Sequence, residues 1–259
     1  MEDVLIRLTE KVTLKDPVLI EGLPGVGNVG KLAIDYLKEK LNATPFGWIH
    51  SKFFPPQVYV SEEGLIRLVS NDLSYVRAAG ANQRDLILLG GDYQGITPEG
   101  QYELTDRVLA LASQMGVREV YTLAGFAQGH LVEGPRVLGA ATSESRVEAM
   151  KKFGVVFSRT DPGGGLIGAS GLFLGLGRVY DMEGVCLMGE TSGYFVDPRS
   201  AEAVLRVLSK VLDLTIDFTE LEHKAKEIDR IAQKFREAES PTRPAETPAQ
   251  AREDLGYIG

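Results

Sequence analysis

Pro17-Val18-Leu19-Ile20-Glu21-Gly22, followed by Gly25-Val26-Gly27-Asn28-Val29-Gly30-Lys31, decides how this chain folds. The first six residues are a short apolar run closed by glycine, the pattern of a buried strand. After the glycines, Val29, Leu32, Ala33, Tyr36 and Leu37 recur at i, i+3, i+4, i+7 and i+8. That spacing puts them on one face of a helix over residues 29–41. A second strand around residues 46–50 completes a β-α-β beginning.

The alternation continues along the chain. Residues 57–60 and 65–69, joined by Ser61-Glu62-Glu63-Gly64, read as an antiparallel hairpin. Asp85-Leu86-Ile87-Leu88-Leu89-Gly90-Gly91 is apolar almost throughout and suits the centre of a parallel sheet. Thr97-Pro98-Glu99 supplies an N-cap, a proline at the first helical position and an acid, opening a helix to about residue 115. Strands follow at 119–124 and 137–141, a helix at 143–153 ended by Gly154, an apolar helix at 166–176, a strand at 184–188 and a core helix at 198–212. This order specifies an α/β domain: a mostly parallel sheet with helices on both faces.

No composition break precedes residue 216, so 1–216 is read as one core domain. Residues 217–239 form a charged helix with Leu221, Ala225, Ile228, Ala232 and Phe235 in 4-3-4-3 spacing, a heptad seam of just over two heptads. The seam is expected to pack on the parent domain, with a helix–helix contact between subunits as the alternative. Residues 240–250, Ser-Pro-Thr-Arg-Pro-Ala-Glu-Thr-Pro-Ala-Gln, hold three prolines and little that is apolar. They make an extended, unfolded tether. The 240–259 tail then turns sticky in Leu255-Gly256-Tyr257-Ile258-Gly259, an aromatic tip suited to another molecule's pocket or to folding back within an oligomer.

The bulk numbers exclude several classes. The 259 residues are 44% hydrophobic and 25% charged, ordinary for a soluble globular protein. A formal net charge of -8 and a pI near 5.1 argue against a general nucleic-acid binder. The single Cys186 rules out a disulfide framework within the chain and fits a cytoplasmic setting. The start of the chain does not look like a secretory leader. The longest apolar-looking region, 163–176, is glycine-studded and too short to span a bilayer, so no membrane partner is expected.

The Gly25–Lys31 stretch matches both the Gly-x-Gly-x-x-Gly fingerprint and the opening of a P-loop, where backbone N–H groups and a helix N-terminus favour an anion. Each reading fails at a second requirement. No Asp or Glu lies between Glu39 and Glu62 to hold a ribose, and Leu32 stands where a P-loop needs Ser or Thr. The favoured reading is a tight turn whose glycines permit close strand–helix packing, with a phosphate-like anion left open. Asp92, in Gly90-Gly91-Asp92-Tyr93-Gln94-Gly95, follows a central strand and is either an acid–base residue or, as is commoner, a cap of its own loop. Glu190, in Gly189-Glu190-Thr191-Ser192, ends another strand at the same edge. A candidate pocket for a nucleoside or phosphate thus comprises Gly25, Gly27, Asn28, Gly30, Lys31, Asp92 and Glu190.

Chemistry finds less support. His50, His130 and His223 have no ligand-spaced partners, so no metal or cofactor is expected. Gly168-Ala169-Ser170-Gly171-Leu172 misses the Gly-x-Ser-x-Gly elbow at its last position, and His130 has no nucleophile beside it. No catalytic constellation is visible, and the chain reads as a non-enzyme.

Four stretches together carry a resemblance: residues 21–31, His50-Ser-Lys-Phe-Phe-Pro-Pro-Gln57, Leu89-Gly-Gly-Asp-Tyr-Gln-Gly95 and Gly163-Gly-Gly-Leu-Ile-Gly-Ala-Ser-Gly171. With the C-terminal helix and tail, they make the whole chain resemble the archaeal members of the proteasome assembly chaperone family, single-chain relatives of the second subunit of the eukaryotic chaperone pair. The resemblance implies a fold similar to nucleoside phosphorylases without their catalytic residues. It also implies a closed homo-oligomer, of four or five subunits, and partners drawn from the proteasome core particle or related proteins. Some members end in a hydrophobic residue, tyrosine and any residue, an ending that docks between core α-subunits and can open the gate. Here Tyr257 is third from the end and Ile258 penultimate, which shifts the ring by about 3.3 Å along an extended tail. The rival readings are a small-molecule binder or enzyme at the glycine-rich loops, and a scaffold whose tail locks its own oligomer.

Overall fold

The computed structural model describes residues 2–80, 83–158 and 165–239. Among these, ten strands and six α-helices alternate: β1 (Val4–Leu8), β2 (Val18–Glu21), α1 (Val29–Lys40), β3 (Thr44–Ser51), β4 (Val58–Val60), β5 (Ile66–Leu68), β6 (Asn71–Val76), β7 (Leu86–Gly91), α2 (Pro98–Gln114), β8 (Glu119–Ala127), β9 (Val137–Ala141), α3 (Glu144–Lys151), α4 (Ala169–Gly177), β10 (Glu183–Thr191), α5 (Pro198–Val211) and α6 (Thr219–Glu239). Eight strands form one sheet in the order β1-β3-β6-β7-β2-β8-β10-β9, and β4 pairs with β5 alone.

The middle of the sheet, β7-β2-β8-β10, is parallel. Its strands are the near-continuous apolar runs, as burial on both faces demands. Side chains alternate between the faces. Val18 and Ile20 of β2 join α1, α5 and the start of α6 in one core, while Leu19 joins α2 and α4 in the other. The expected α/β architecture with helices on both faces is therefore present.

The flanks differ from the expectation. β3 does not pair with β2: it runs in the same direction but lies beyond β7 and β6, antiparallel to β6 and β1. Two strands escaped the reading. β1 is half exposed along an edge, and β6 opens with Asn71-Asp72, residues that favour turns. β6 is nonetheless a strand, paired on both sides with β3 and β7, and Asp72 accepts from Lys38 Nζ at 2.6 Å, although the buried Asn71 Oδ1 has no hydrogen-bond partner among the described residues. The apolar helix begins at Ala169 rather than Leu166, since Gly168 has φ +98° and ends the incoming loop.

Helix starts follow local capping. Thr97 accepts from Gly100 N at 3.0 Å and Asp197 from Ser200 N at 2.9 Å, each before a proline at the first helical position. At the N-terminal end of the parallel strands, Glu119 is held by Arg84, Arg146 and the Tyr121 hydroxyl. Burial pushes its carboxyl up, and these three partners outweigh that and hold it below the usual range.

α6 packs antiparallel along α5. Leu221 and Ala225, the first two seam residues, are buried, and Phe218 stacks on Tyr36 at 6.4 Å.

The glycines of the β2–α1 turn serve close packing. A Cβ on Gly30 would stand 2.2 Å from the Leu123 carbonyl oxygen, a backbone atom that cannot rotate away. Gly30→Ala should therefore cost about 2–3 kcal/mol in urea denaturation, as overpacking does. Gly175, exposed inside α4 with nothing within 4 Å of where a Cβ would stand, is the converse: Gly175→Ala should stabilise by roughly 0.5–1 kcal/mol.

Candidate functional site

The strand order reverses at β2. The α1 connection leads toward the β3 side, whereas α2 carries the chain from β7 across to β8 on the other side. In open α/β sheets, the crevice beyond the strand C-termini at such a reversal is where ligands bind. Here it is a cavity of about 500 Å3, walled by the β2–α1 turn, the ends of β8 and β10, and the start of α4.

Behind Ser170 and Cys186, which line it, lies a buried polar cluster on the α4 face of the sheet. Glu21, at the end of β2, is fully buried. Its two oxygens accept from Leu23 N at 2.9 Å and Ser170 Oγ at 3.0 Å. Burial pushes the Glu21 carboxyl up to about 7, with these two hydrogen bonds opposing the shift. Thr122 Oγ1 donates to the Ser170 carbonyl at 3.2 Å, and Cys186 lies alongside, its thiol pushed up to about 12 by burial. Such a thiol stays protonated and is a poor nucleophile at neutral pH. Gln94 clasps the rim, donating to the Pro24 carbonyl at 2.8 Å and accepting from Ala169 N at 3.0 Å.

Of the residues proposed from sequence, Gly25 and Gly30 line this crevice. Gly27 has φ +59° and packs on Thr191, and Asn28 occupies the left-handed region with φ +52°. Lys31 pairs with Asp35 one turn along α1.

Asp92 and Glu190 do not line the crevice, so the expected shared pocket is not formed. Asp92 does not cap its own loop either. It receives Arg67 through both guanidinium nitrogens, at 2.6 and 3.1 Å, and Ser70 N at 3.0 Å. Burial raises its pKa, and these contacts more than reverse the shift. Glu190 accepts from Arg136 Nε and N, each at 3.0 Å, and from Gln128 at 2.7 Å. The Arg136 guanidinium is the main cause of its lowered pKa.

Both acids are thus ionised fasteners between distant segments. Leu255, Gly256, Tyr257, Ile258 and Gly259 lie outside the described residues. Among those residues, no three His, Cys, Asp or Glu side chains gather as a metal site, and no helix is long and apolar enough to cross a membrane.

Sequence reasoning passed over Glu21, Gln94 and Ser170 as a connected set. The available signal was Glu21 itself, a carboxylate closing an otherwise apolar four-residue strand.

A family model described as the PAC2 family matches residues 19–236. An uncharacterized protein of Methanocaldococcus jannaschii is 37% identical over 247 residues, which covers 95% of this chain and 93% of that one. The crystal structure of Pyrococcus furiosus PbaB, an archaeal proteasome activator, matches with a TM-score of 0.86 at 37% identity, covering 91% of this chain and 100% of that one. Pyrococcus furiosus PbaA, an archaeal homolog of proteasome-assembly chaperone, matches with a TM-score of 0.75 at 26% identity, covering 92% and 93%.

The Glu21 environment has a pH signature. The folded carboxyl holds its proton up to about pH 7, against 4.5 for a free glutamate. The folded state therefore binds more protons between these values, and Glu21's contribution to stability falls as pH rises through that window. Glu21→Gln keeps the shape and an acceptor for Leu23 N without the charge. Its stability relative to the parent should rise between pH 5 and pH 8, by on the order of 2 kcal/mol, in urea titrations at the two values. A pH-independent difference would mean that Glu21 titrates normally.

Proposed function

This chain belongs to the PAC2 family, and we propose that it is a non-enzymatic, self-associating, chaperone-like partner of the proteasome core or a related assembly, engaging it through residues 240–259. The observation that carries this reading is the match over almost the full chain, at 37% identity, to a protein described as an archaeal proteasome activator. Asp92, the one acid nominated for acid–base chemistry, and Glu190, nominated with it for the candidate pocket, are bound to arginines outside the crevice, which favours a binding protein over an enzyme.

The course of α6 supports tail presentation. Its start lies against Tyr36 and Lys40, at the far end of α1 from the crevice. Ile228 lines one small pocket with Arg199, Leu131 and Val132, by the start of α5 and the loop after β8. The helix therefore runs toward the C-terminal edge of the parallel strands, and its last 11 residues (229–239) add about 16 Å in that direction at 1.5 Å per residue. Residues 240–259 start from that end. A single short tail binds weakly, but several displayed on one assembly engage together when their spacing matches the target.

A small-molecule reading has one observation in its favour, the 500 Å3 crevice at the strand reversal. No described Lys or Arg lines it, so it suits a neutral ring better than a phosphate.

Native mass spectrometry of the full chain and of residues 1–239, each alone and with proteasome core particle, separates these readings. We expect the truncated protein to keep its oligomer size and lose the core particle. Retained binding would remove the tail from the proposal. A change of oligomer size would make the tail a lock within its own assembly. Loss of no interaction, together with a melting temperature raised by nucleosides, would favour the crevice.

A further inference from the structure

The β4–β5 hairpin stands apart from the main sheet and is exposed along its whole length. Its register puts Val58 opposite Leu68 and Val60 opposite Ile66, so these four side chains share one face, with Tyr59 and Arg67 on the other. The two faces have different fates. On one, Arg67 grips Asp92 with both nitrogens and lies 4.3 Å from the Tyr59 ring centre, while Gln57 donates to the Tyr93 hydroxyl at 2.9 Å. On the other, Val60 is 64% exposed, Ile66 72% and Leu68 57%.

A two-stranded hairpin is marginal by itself in water. This one is tied from below to the half-buried Asp92 and offers a bare apolar surface above. Val58 and Leu68 continue it into a groove of about 450 Å3 floored by Phe54, Pro55 and Pro56.

We propose that this hairpin face is the contact through which two copies of the chain pair, each hairpin lying against the other's hairpin and groove. The proposal rests on the self-association reading above and names its surface.

Two features favour a second copy as the occupant. The face carries no charge, so a like-on-like contact about a two-fold axis opposes no charges. A chain of net charge -8 repels its copies over much of its remaining surface. The tip carries Glu62 and Glu63, whereas the groove wall carries Lys52, half exposed beside Asp3 at 2.7 Å, so a hairpin entering its neighbour's groove brings further acid to a cation that already holds one carboxylate. The area is compatible with this. Val58, Val60, Ile66 and Leu68 make a patch on the order of 400 Å2, the size of the largest patch on a typical monomer. Two such patches, together with the two grooves they would cover, approach the ~1,000 Å2 where specific interfaces begin.

The test compares the full-length parent with Ile66→Asp and Ile66→Lys by sedimentation velocity and native mass spectrometry, separately and as a 1:1 mixture. Ile66 is exposed and outside the Arg67–Asp92 clasp, so both variants should melt within a few degrees of the parent. Each alone should associate at least ~10-fold more weakly, and the mixture, with opposite charges across the same small face, should recover most of that loss.

Variants that keep the parental size would overturn the hairpin proposal while leaving self-association through another surface. Variants that keep their size but lose the core particle would assign the face to that partner instead. Weakened variants that do not recover on mixing would show that the face meets a different surface of its neighbour. A monomeric parent at every concentration would remove both the hairpin contact and the self-association reading.

Discussion

The arrangement depends on the missing Cβ atoms at Gly22, Gly30 and Gly125. An added Cβ at Gly22 would meet the Gly30 carbonyl oxygen at 2.4 Å, one at Gly30 the Leu123 carbonyl oxygen at 2.2 Å, and one at Gly125 the Val26 carbonyl oxygen at 2.2 Å. The contacts form a ring: the end of β2 touches the start of α1, α1 touches β8, and β8 touches the turn between β2 and α1. The nearest opposing atom is backbone in each case, so no rotamer change can relieve a substitution. This gives the Gly-x-Gly-x-x-Gly stretch a packing role that needs no phosphate. The glycines let the helix seat on the strands, and the Lys31 side chain ends on Asp35 instead of reaching across the turn. Because α1 is drawn so close on its own face, the open space at the strand reversal lies beside α4.

The two ends of the parallel strands handle buried carboxylates in opposite ways. Glu119, at the N-terminal end, has two arginines and a tyrosine hydroxyl, so its charge is compensated where it sits. Glu21, at the C-terminal end, has one backbone N–H and one serine hydroxyl and, among the described residues, no cation. Two neutral donors do not replace water around a fully buried anion, and proton retention is the cheaper solution. The same carboxyl joins β2 to α4 through Ser170, while Gln94 joins the β2 turn to Ala169 at the start of that helix. The crevice is therefore held open by neutral hydrogen bonds, whereas the segments around it are fastened by ionised acids at Asp92 and Glu190.

What the sequence disclosed follows from the range of each interaction. Central strands were legible because burial on both faces leaves a continuous apolar run, as in Leu86–Leu89. Helices capped by Thr97 and Asp197 were legible because the cap, the proline and the first turn are adjacent in sequence. The hairpin over residues 58–68 declared itself by two apolar runs around Ser-Glu-Glu-Gly. β1 and β6 did not, since an edge strand and a strand with buried Asn71 and Ser74 lack that run. Among the site residues, Asp92 acts on partners 22 and 25 positions away, and Glu190 on partners 54 and 62 positions away. No local pattern encodes such reach, so both acids resembled loop residues with free carboxylates. Ser170 looked like a failed nucleophile elbow, although its hydroxyl serves a glutamate 149 positions earlier.

The fixed start of α6 bears on how several tails could be spaced. Leu221 and Ala225 are buried against the core, Arg206 bridges Glu202 and Glu222, and the Arg206 guanidinium lies 4.5 Å from the Phe218 ring centre. The exposed ion pairs add little by themselves, but the buried seam residues and the ring contacts hold the first two turns to α5. That half of the helix cannot also supply its apolar seam to a neighbouring subunit. Within one copy, the helix is thus a strut whose direction is set by the α5 surface. The distance between struts in an assembly must then be set where the bodies themselves meet. Multivalent engagement tolerates only spacings that its tethers can bridge, so a rigid body-to-body contact would control avidity without touching the target. The hairpin is tied to the body at such a place: Arg67 bonds both oxygens of Asp92, just after β7, and β7 pairs with β2 at the centre of the sheet.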